Sequence, residues 1–353
     1  MAISPNTTSS SAANLPIIDF SKLEGYKNSD GAITAEESSV EKRKLFQALK
    51  DVGFVYLRNH GIDESAVQTI FAHAARFFSQ PISEKEKVET GESKFFHGWF
   101  SPERTSGSST FSDQKEAFDL GDDSDVTRPN QWPADWPEFR TDMNAFFERS
   151  HDIHLGLLST LAEEVGLPWN YFLQYVQDKD HFFRVLYYPE TTIDTFETRV
   201  RAGVHTDYGT LTLLFNDSNG GLQVRGKDGR FLDVPPIPGC AIINVGDLLS
   251  RWFNGVLKST EHQVIEPPTN EATRATLGGT IHSRYAIAWF GHPNRNAFIE
   301  PLSVCVTEDN PKHFEGVFAG KHVVDRLAKL HEDGKNSESW EDNMYRENKS
   351  QGL

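Results

Sequence analysis

Residues 205–214 read His205-Thr206-Asp207-Tyr208-Gly209-Thr210-Leu211-Thr212-Leu213-Leu214. The second half is uncharged, β-branched and apolar, which reads as a strand. The first half carries chemistry. In extended chain, side chains at i and i+2 point to one side, so His205 and Asp207 can present an imidazole and a carboxylate to a common point. One further imidazole would complete a set of two His and one carboxylate, which holds Fe(II) and leaves positions open for other ligands. A second acidic triplet, His331-Glu332-Asp333, ends a helical stretch where i and i+2 do not share a face, and is set aside.

Strands continue on either side of this stretch. The pattern predicts strands at 182–188, 210–216, 222–225, 240–245, 262–266 and 284–291, punctuated by Gly220-Gly221, Pro235-Pro236 and Pro267-Pro268. Many short strands without intervening helices favour an antiparallel sandwich or jelly roll over a doubly wound sheet. A jelly roll can bring His262, at the head of its strand, to the pair at 205 and 207; His282 and His292 compete for that place. A bidentate oxygen ligand with a second carboxylate would need a cation deeper in the barrel. Arg284, on the strand after His262, offers a planar fork for it. No Gly-x-Gly-x-x-Gly or Gly-x-x-x-x-Gly-Lys-Ser/Thr segment is present.

Upstream, Leu15–Phe20 reads as a strand, 36–50 as a helix, 51–57 as turn and strand, and 64–78 as a helix stopped by Pro81. Residues 89–140 read as a loop-rich segment, with 98–118 a candidate lid. Helices are expected at 138–166 and 321–331. The resulting organisation is a disordered arm at 1–14, an N-terminal α/β region at 15–140, a catalytic core at 141–334 and a polar tail at 335–353.

Composition narrows the class. The 353 residues include 25 Phe and 7 Trp, enough for a large core. Lys and Arg number 35 against 51 Asp and Glu, a formal charge of −16. Such a field repels phosphate backbones and anionic membranes, so neither nucleic acid nor membrane is an expected partner. The two cysteines, Cys240 and Cys305, cannot build a disulfide framework, and neither a membrane span nor a secretory leader is visible. The expectation is a cytoplasmic globular protein.

Several segments together resemble the isopenicillin N synthase-like family of Fe(II)- and 2-oxoglutarate-dependent dioxygenases. They are Leu15–Phe20, Gly53–Leu57, Asn59-His60-Gly61-Ile62, His205-x-Asp207, Ser259-Thr260-x-His262 and the strand from Arg284 to Phe290. The likeness spans about residues 15–332, and Val200–Gly209, Gly220–Val224, Gly246–Leu249 and Glu266-Pro267-Pro268 are most similar to fungal members of the thymine 7-hydroxylase type. The resemblance implies a distorted double-stranded β-helix (jelly roll) with flanking α-helices. It implies iron on His205, Asp207 and His262, and 2-oxoglutarate on Arg284 with help from Tyr188. It also implies a small-molecule substrate near Arg184, Tyr208 and Phe290. His181 stands where those hydroxylases carry Asn, and Trp289 is a further candidate wall. The implied reaction uses O2 to oxidise a C–H bond, most simply to an alcohol, while 2-oxoglutarate becomes succinate and CO2. Desaturation or ring closure in specialised metabolism would need only different substrate placement.

Two features depart from the family pattern. Ala286 replaces a Ser whose hydroxyl would donate to the co-substrate carboxylate, and 269–281 is long and Gly/Thr-rich. Three rivals follow: a Zn hydrolase on the same ligands, a non-catalytic binding protein, and an iron oxidase that does without 2-oxoglutarate.

Overall fold

The computed structural model describes residues 12–23, 35–90, 97–101, 115–193, 195, 200–266 and 279–332. Residues 1–11 of the expected arm, 102–114 of the candidate lid, 269–278 of the long segment and the tail at 335–353 lie outside the described residues.

Eight strands form a major sheet: β1 (Ile17–Asp19), β2 (Phe54–Arg58), β3 (Gly98–Phe100), β4 (Glu116–Leu120), β5 (Phe182–Tyr188), β8 (Leu211–Asn216), β11 (Cys240–Val245) and β14 (Arg284–Phe290), in the order β1-β2-β11-β8-β14-β5-β4-β3. A minor sheet has the order β10-β9-β12-β7, from β7 (Ala202–His205), β9 (Leu222–Arg225), β10 (Phe231–Asp233) and β12 (His262–Val264). The short β6 (Thr191–Thr192) pairs with β13 (Thr280–Ile281). Helices α1 (Ala35–Asp51), α2 (Glu64–Phe78), the single-turn α3 (Ile82–Lys85) and α4 (Pro137–Glu164) precede β5.

Period-two alternation gives the major sheet two different faces. Val55, Leu57, Phe118, Phe183, Val185, Leu213, Phe215, Ile243, Ile287 and Trp289 enter the larger core with the helices. There Phe146 of α4 stacks on Phe183 at 5.4 Å. The alternate positions face the minor sheet. At one end they are apolar: Phe54, Tyr56 and Ile242 pack with Leu222, Val224 and Val264. Elsewhere they are Asp119, Arg184, Tyr188, Thr212, Asn216, Asn244 and Arg284. The polar row therefore lies between two sheets.

Most expected elements stand where the pattern put them. Three differences matter. His205 ends a strand of its own, β7, rather than preceding one. The loop-rich segment holds β3 and β4, which extend the major sheet. The last residues of the expected arm are paired, since Ala13 N donates to Asp233 O at 2.8 Å.

Backbones cross closely where β8 begins. A Cβ on Gly209 would meet Gly291 O at 2.2 Å, and one on Gly246 would meet Gly209 O at 2.5 Å. Thr210 N donates to Gly291 O and Gly246 N to Thr210 O, each at 2.7 Å. Gly209→Ala should therefore destabilise the chain by about 1–3 kcal/mol or more, as over-packing does. Equilibrium unfolding measures this, and an unchanged midpoint would refute the crossing.

Candidate active site

His205 and His262 meet across the minor sheet, where they are direct register partners in β7 and β12. Asp207 follows β7 in the turn toward β8. The shared point is thus made by a strand end, a turn and a neighbouring strand, not by simple i, i+2 alternation. Asp207 Oδ1 lies 3.9 Å from His205 Nε2 and 3.8 Å from His262 Nε2. Each imidazole is oriented from behind. His205 Nδ1 donates to Gly203 O at 2.7 Å, and His262 Nδ1 to Thr260 O at 3.1 Å. With Nδ1 protonated, both Nε2 lone pairs face the common point. The other carboxylate oxygen, Asp207 Oδ2, accepts from Thr212 Oγ1 at 2.6 Å and Asn244 Nδ2 at 2.7 Å.

Electrostatics agree with this arrangement. Desolvation, and then the neighbouring His262, hold the His205 imidazole down to about 4, so it is neutral and ready to ligate. Burial works to raise the Asp207 carboxyl, but the two imidazoles and its two hydrogen bonds outweigh it and hold the carboxyl below its ordinary range. Asp207 and His262 side chains are 7% and 9% exposed against 37% for His205, so access is from the His205 side. Two lone pairs, one free carboxylate oxygen and fixed tautomers fit a divalent iron with open positions.

Beyond the trio, the polar row continues along the same face of the major sheet. Arg284 is 1% exposed and directly opposite Tyr188 in the β14–β5 register. Its guanidinium sits 5.1 Å from the centre of the Tyr188 ring, and that of Arg201 sits 5.8 Å from the same centre. Arg201 Nη2 donates to His282 O at 2.5 Å. Burial, then the nearby Arg284, pull Arg201 down to about 10. Farther along β5, Arg184 makes a two-point contact with fully buried Asp119, Nε to Oδ1 at 2.8 Å and Nη2 to Oδ2 at 2.7 Å. Phe182 and Phe290, opposite each other in register, bring their rings to 6.2 Å. The half-buried Tyr208 lies under Arg326, whose guanidinium is 4.9 Å from the ring centre.

Comparisons with known proteins decide the family. The model for the non-haem dioxygenase N-terminal region (in morphine synthesis) matches residues 15–138, and that for the 2OG-Fe(II) oxygenase superfamily matches 179–293. A proline hydroxylase of Petromyces alliaceus is 35% identical over 302 residues, covering 81% of this chain and 92% of that protein. The chain belongs to the 2OG-Fe(II) oxygenase superfamily. A 2-oxoglutarate-dependent dioxygenase of Aspergillus rugulosus is 32% identical, covering 80% of this chain and 92% of the relative. The crystal structure of Neurospora crassa thymine 7-hydroxylase with α-ketoglutarate and thymine superposes with a TM-score of 0.79 at 33% identity, covering 89% of this chain and 96% of that one. The oxygenase thus uses Fe(II) and 2-oxoglutarate to oxidise a small molecule, and the hydrolase, passive-binder and 2-oxoglutarate-free readings give way. Among the described residues, no helix is long and apolar enough to cross a membrane.

Two expected pocket residues lie elsewhere in this oxygenase. Trp289 alternates with Arg284 and Phe290 and so faces α4, where Phe147 packs on it at 6.0 Å. His181 packs on Trp289 at 4.5 Å and is 2% exposed. Neither lines the face that carries Arg284. His181 belongs to a buried set with His151 and His154, whose ligand atoms lie within 4.8 Å of one another. Hydrogen bonding assigns these rings a different task from metal binding. His181 Nδ1 accepts the His292 backbone N–H at 3.0 Å, so its proton sits on Nε2 and goes to His151 Nδ1 at 2.9 Å. Thr210 Oγ1 donates to Gly291 O, so His154 Nε2 must donate to Thr210 at 2.7 Å. The rings are neutral links between α4 and the strands.

Sequence reading missed Asp119, Arg201, Thr212, Asn216 and Asn244. Three of them, Thr212, Asn216 and Asn244, are polar residues in apolar strands, and their even spacing on one face was the available signal.

Two outcomes follow. Asn244→Leu should weaken Fe(II) binding by about 10–100-fold, because Asp207 loses an orienting donor; anaerobic metal titration reads it. The buried imidazoles should make the fold acid-sensitive. Burial holds His292 to about 4, and His154 and His181 well below their ordinary value. An unfolded chain with imidazoles near about 6.5 binds protons that the folded chain refuses. Stability should therefore be complete above about 6.5 and fall as pH drops toward about 4. Denaturant midpoints across this range should show a shallower fall in His181→Asn.

Proposed function

We propose that His205, Asp207 and His262 hold the iron, and that Arg284 and Tyr188 receive the distal carboxylate of 2-oxoglutarate. Arg184, Tyr208 and Phe290 then face a small substrate bearing a carbonyl or carboxylate acceptor, hydroxylated in the specialised metabolism of a fungus. The carrying observation is the Arg184–Asp119 contact on the same sheet face as Arg284. Asp119 takes Nε and Nη2 and fixes the fork, while Nη1 is not part of that contact. Burial pushes the Asp119 carboxyl up even against the pull of Arg184, so the pair is held together by mutual need. An anchor neutralised in this way selects a hydrogen-bond acceptor more than a net charge.

When bound, iron supplies the oxidation of the substrate C–H bond as O2 and 2-oxoglutarate give succinate and CO2. The chain's residues set geometry and access. The Gly203 and Thr260 carbonyls hold the imidazoles, and Thr212 and Asn244 hold the carboxylate. Phe182 and Phe290 give the substrate an apolar wall, and Arg184 fixes its polar end. Relatives with hydroxylase names, among them those acting on proline and thymine, support this substrate size. Two unbonded cysteines support a reduced, cytoplasmic setting.

Succinate release with free and peptidyl proline, other amino acids and pyrimidines tests the reading. Acceptor-bearing compounds should stimulate turnover, and stimulation only by compounds without an acceptor would overturn it. Arg184→Lys keeps the charge opposite Asp119 but loses the fork. It should raise the KM of the stimulating substrate by about tenfold or more, while slow, substrate-free consumption of 2-oxoglutarate persists.

A further inference from the structure

Ala286 is two residues beyond Arg284 on the same face of β14, and it is fully buried. Its direct cross-strand partner on β8 is Asn216. Facing residues in such a pair have Cβ atoms about 4.5–5.5 Å apart, so Asn216 reaches the space beside the Ala286 methyl. The orientation of its carboxamide is fixed. Arg284 Nη2 donates to Asn216 Oδ1 at 2.6 Å. A guanidinium only donates, so the oxygen must face it and the NH2 must face away. That Nδ2 is buried and has no hydrogen-bond partner, and the same holds for Arg284 Nε and Nη1. Three buried donors on two touching side chains are costly to leave unmade. They call for an acceptor that carries several lone pairs and negative charge and arrives with a ligand, which describes a carboxylate.

We infer that Asn216 is a further co-substrate-binding residue, its Nδ2 donating to the carboxylate seated on Arg284 in the space where Ala286 offers no hydroxyl. This rests on the proposed seating of that carboxylate at Arg284. The neighbouring Asp217 has a separate, structural part: its Oδ2 accepts the Tyr285 N–H at 2.6 Å and ties the end of β8 to β14. Asn216 is thereby held at a strand end that is pinned independently of the ligand.

The test is anaerobic titration of the Fe(II) protein with 2-oxoglutarate and, separately, with 2-oxobutyrate, which has the same chelating end but no distal carboxylate. The visible charge-transfer band reports binding. Asn216→Ala should weaken 2-oxoglutarate by about ten- to a hundredfold, the size of a lost hydrogen bond to a charged group, and leave 2-oxobutyrate within about twofold. Adding Ala286→Ser to that variant should recover most of the loss, because a hydroxyl returns to the same space. Equal weakening of both acids would reduce Asn216 to a structural role, and unchanged 2-oxoglutarate affinity or a failed rescue would also overturn the inference. If Asn216→Ala does not fold, Asn216→Leu, close in volume, uncharged and without a donor, should show the same selective loss. Arg284→Ala is the separate check on the underlying reading. If it leaves 2-oxoglutarate binding intact, the seating itself fails, whatever Asn216 does.

Discussion

The two-faced major sheet is the constraint on which everything else depends. Each of its central strands must supply apolar residues to the helix side at every second position. The positions between are released from that duty wherever the minor sheet does not need an apolar contact. In that interval the chain places two arginines, two carboxamides, a tyrosine, a threonine and an aspartate. A polar row of this kind is tolerable only because its members bond one another or wait for a ligand. Packing on one side thus positions chemistry on the other, since β14 cannot slip by one residue without moving Trp289 into the pocket and Arg284 into the core.

The metal trio depends on the same economy of backbone. Two carbonyls, from Gly203 and Thr260, set both imidazole tautomers. Two interior side chains, Thr212 and Asn244, set the carboxylate. These four contacts come from both sheets and the loop preceding β12. The site is therefore a product of the sandwich closing and not of any one segment, in contrast to a metal loop that carries its ligands locally.

Much of this was legible in the sequence. Strands β5, β8, β9, β11 and β14 follow the period-two pattern almost to the residue, and His205, Asp207 and His262 are brought together as their types and order indicated. The illegible parts have physical reasons. Strand β7 is four residues long, contains Gly203, and exposes Val204, so it lacks an apolar signature. Strand β4 carries Glu116 and Asp119, which look like solvent-facing residues until Arg184 and Lys85 are seen beside them. His181 looks like a pocket residue through the resemblance, and Trp289 looks like one as an aromatic close to Phe290. The outward side of β14 takes Trp289 to α4, and His181, just before β5, packs on Trp289 there.

The alternation in β14 also bears on how chains of this kind diverge. Tyr285, Ile287 and Trp289 are committed to the helix layer, while Ala286, Ala288 and Phe290 interleave with them on the face that carries Arg284. Two of those three positions are alanines, the smallest side chains that a strand can present. Selection can therefore change one face of the strand through one set of codons while the other set preserves the packing on the helices. Changes confined to Ala288 and Phe290 would alter that face while Arg284 and the helix-side residues stay in place.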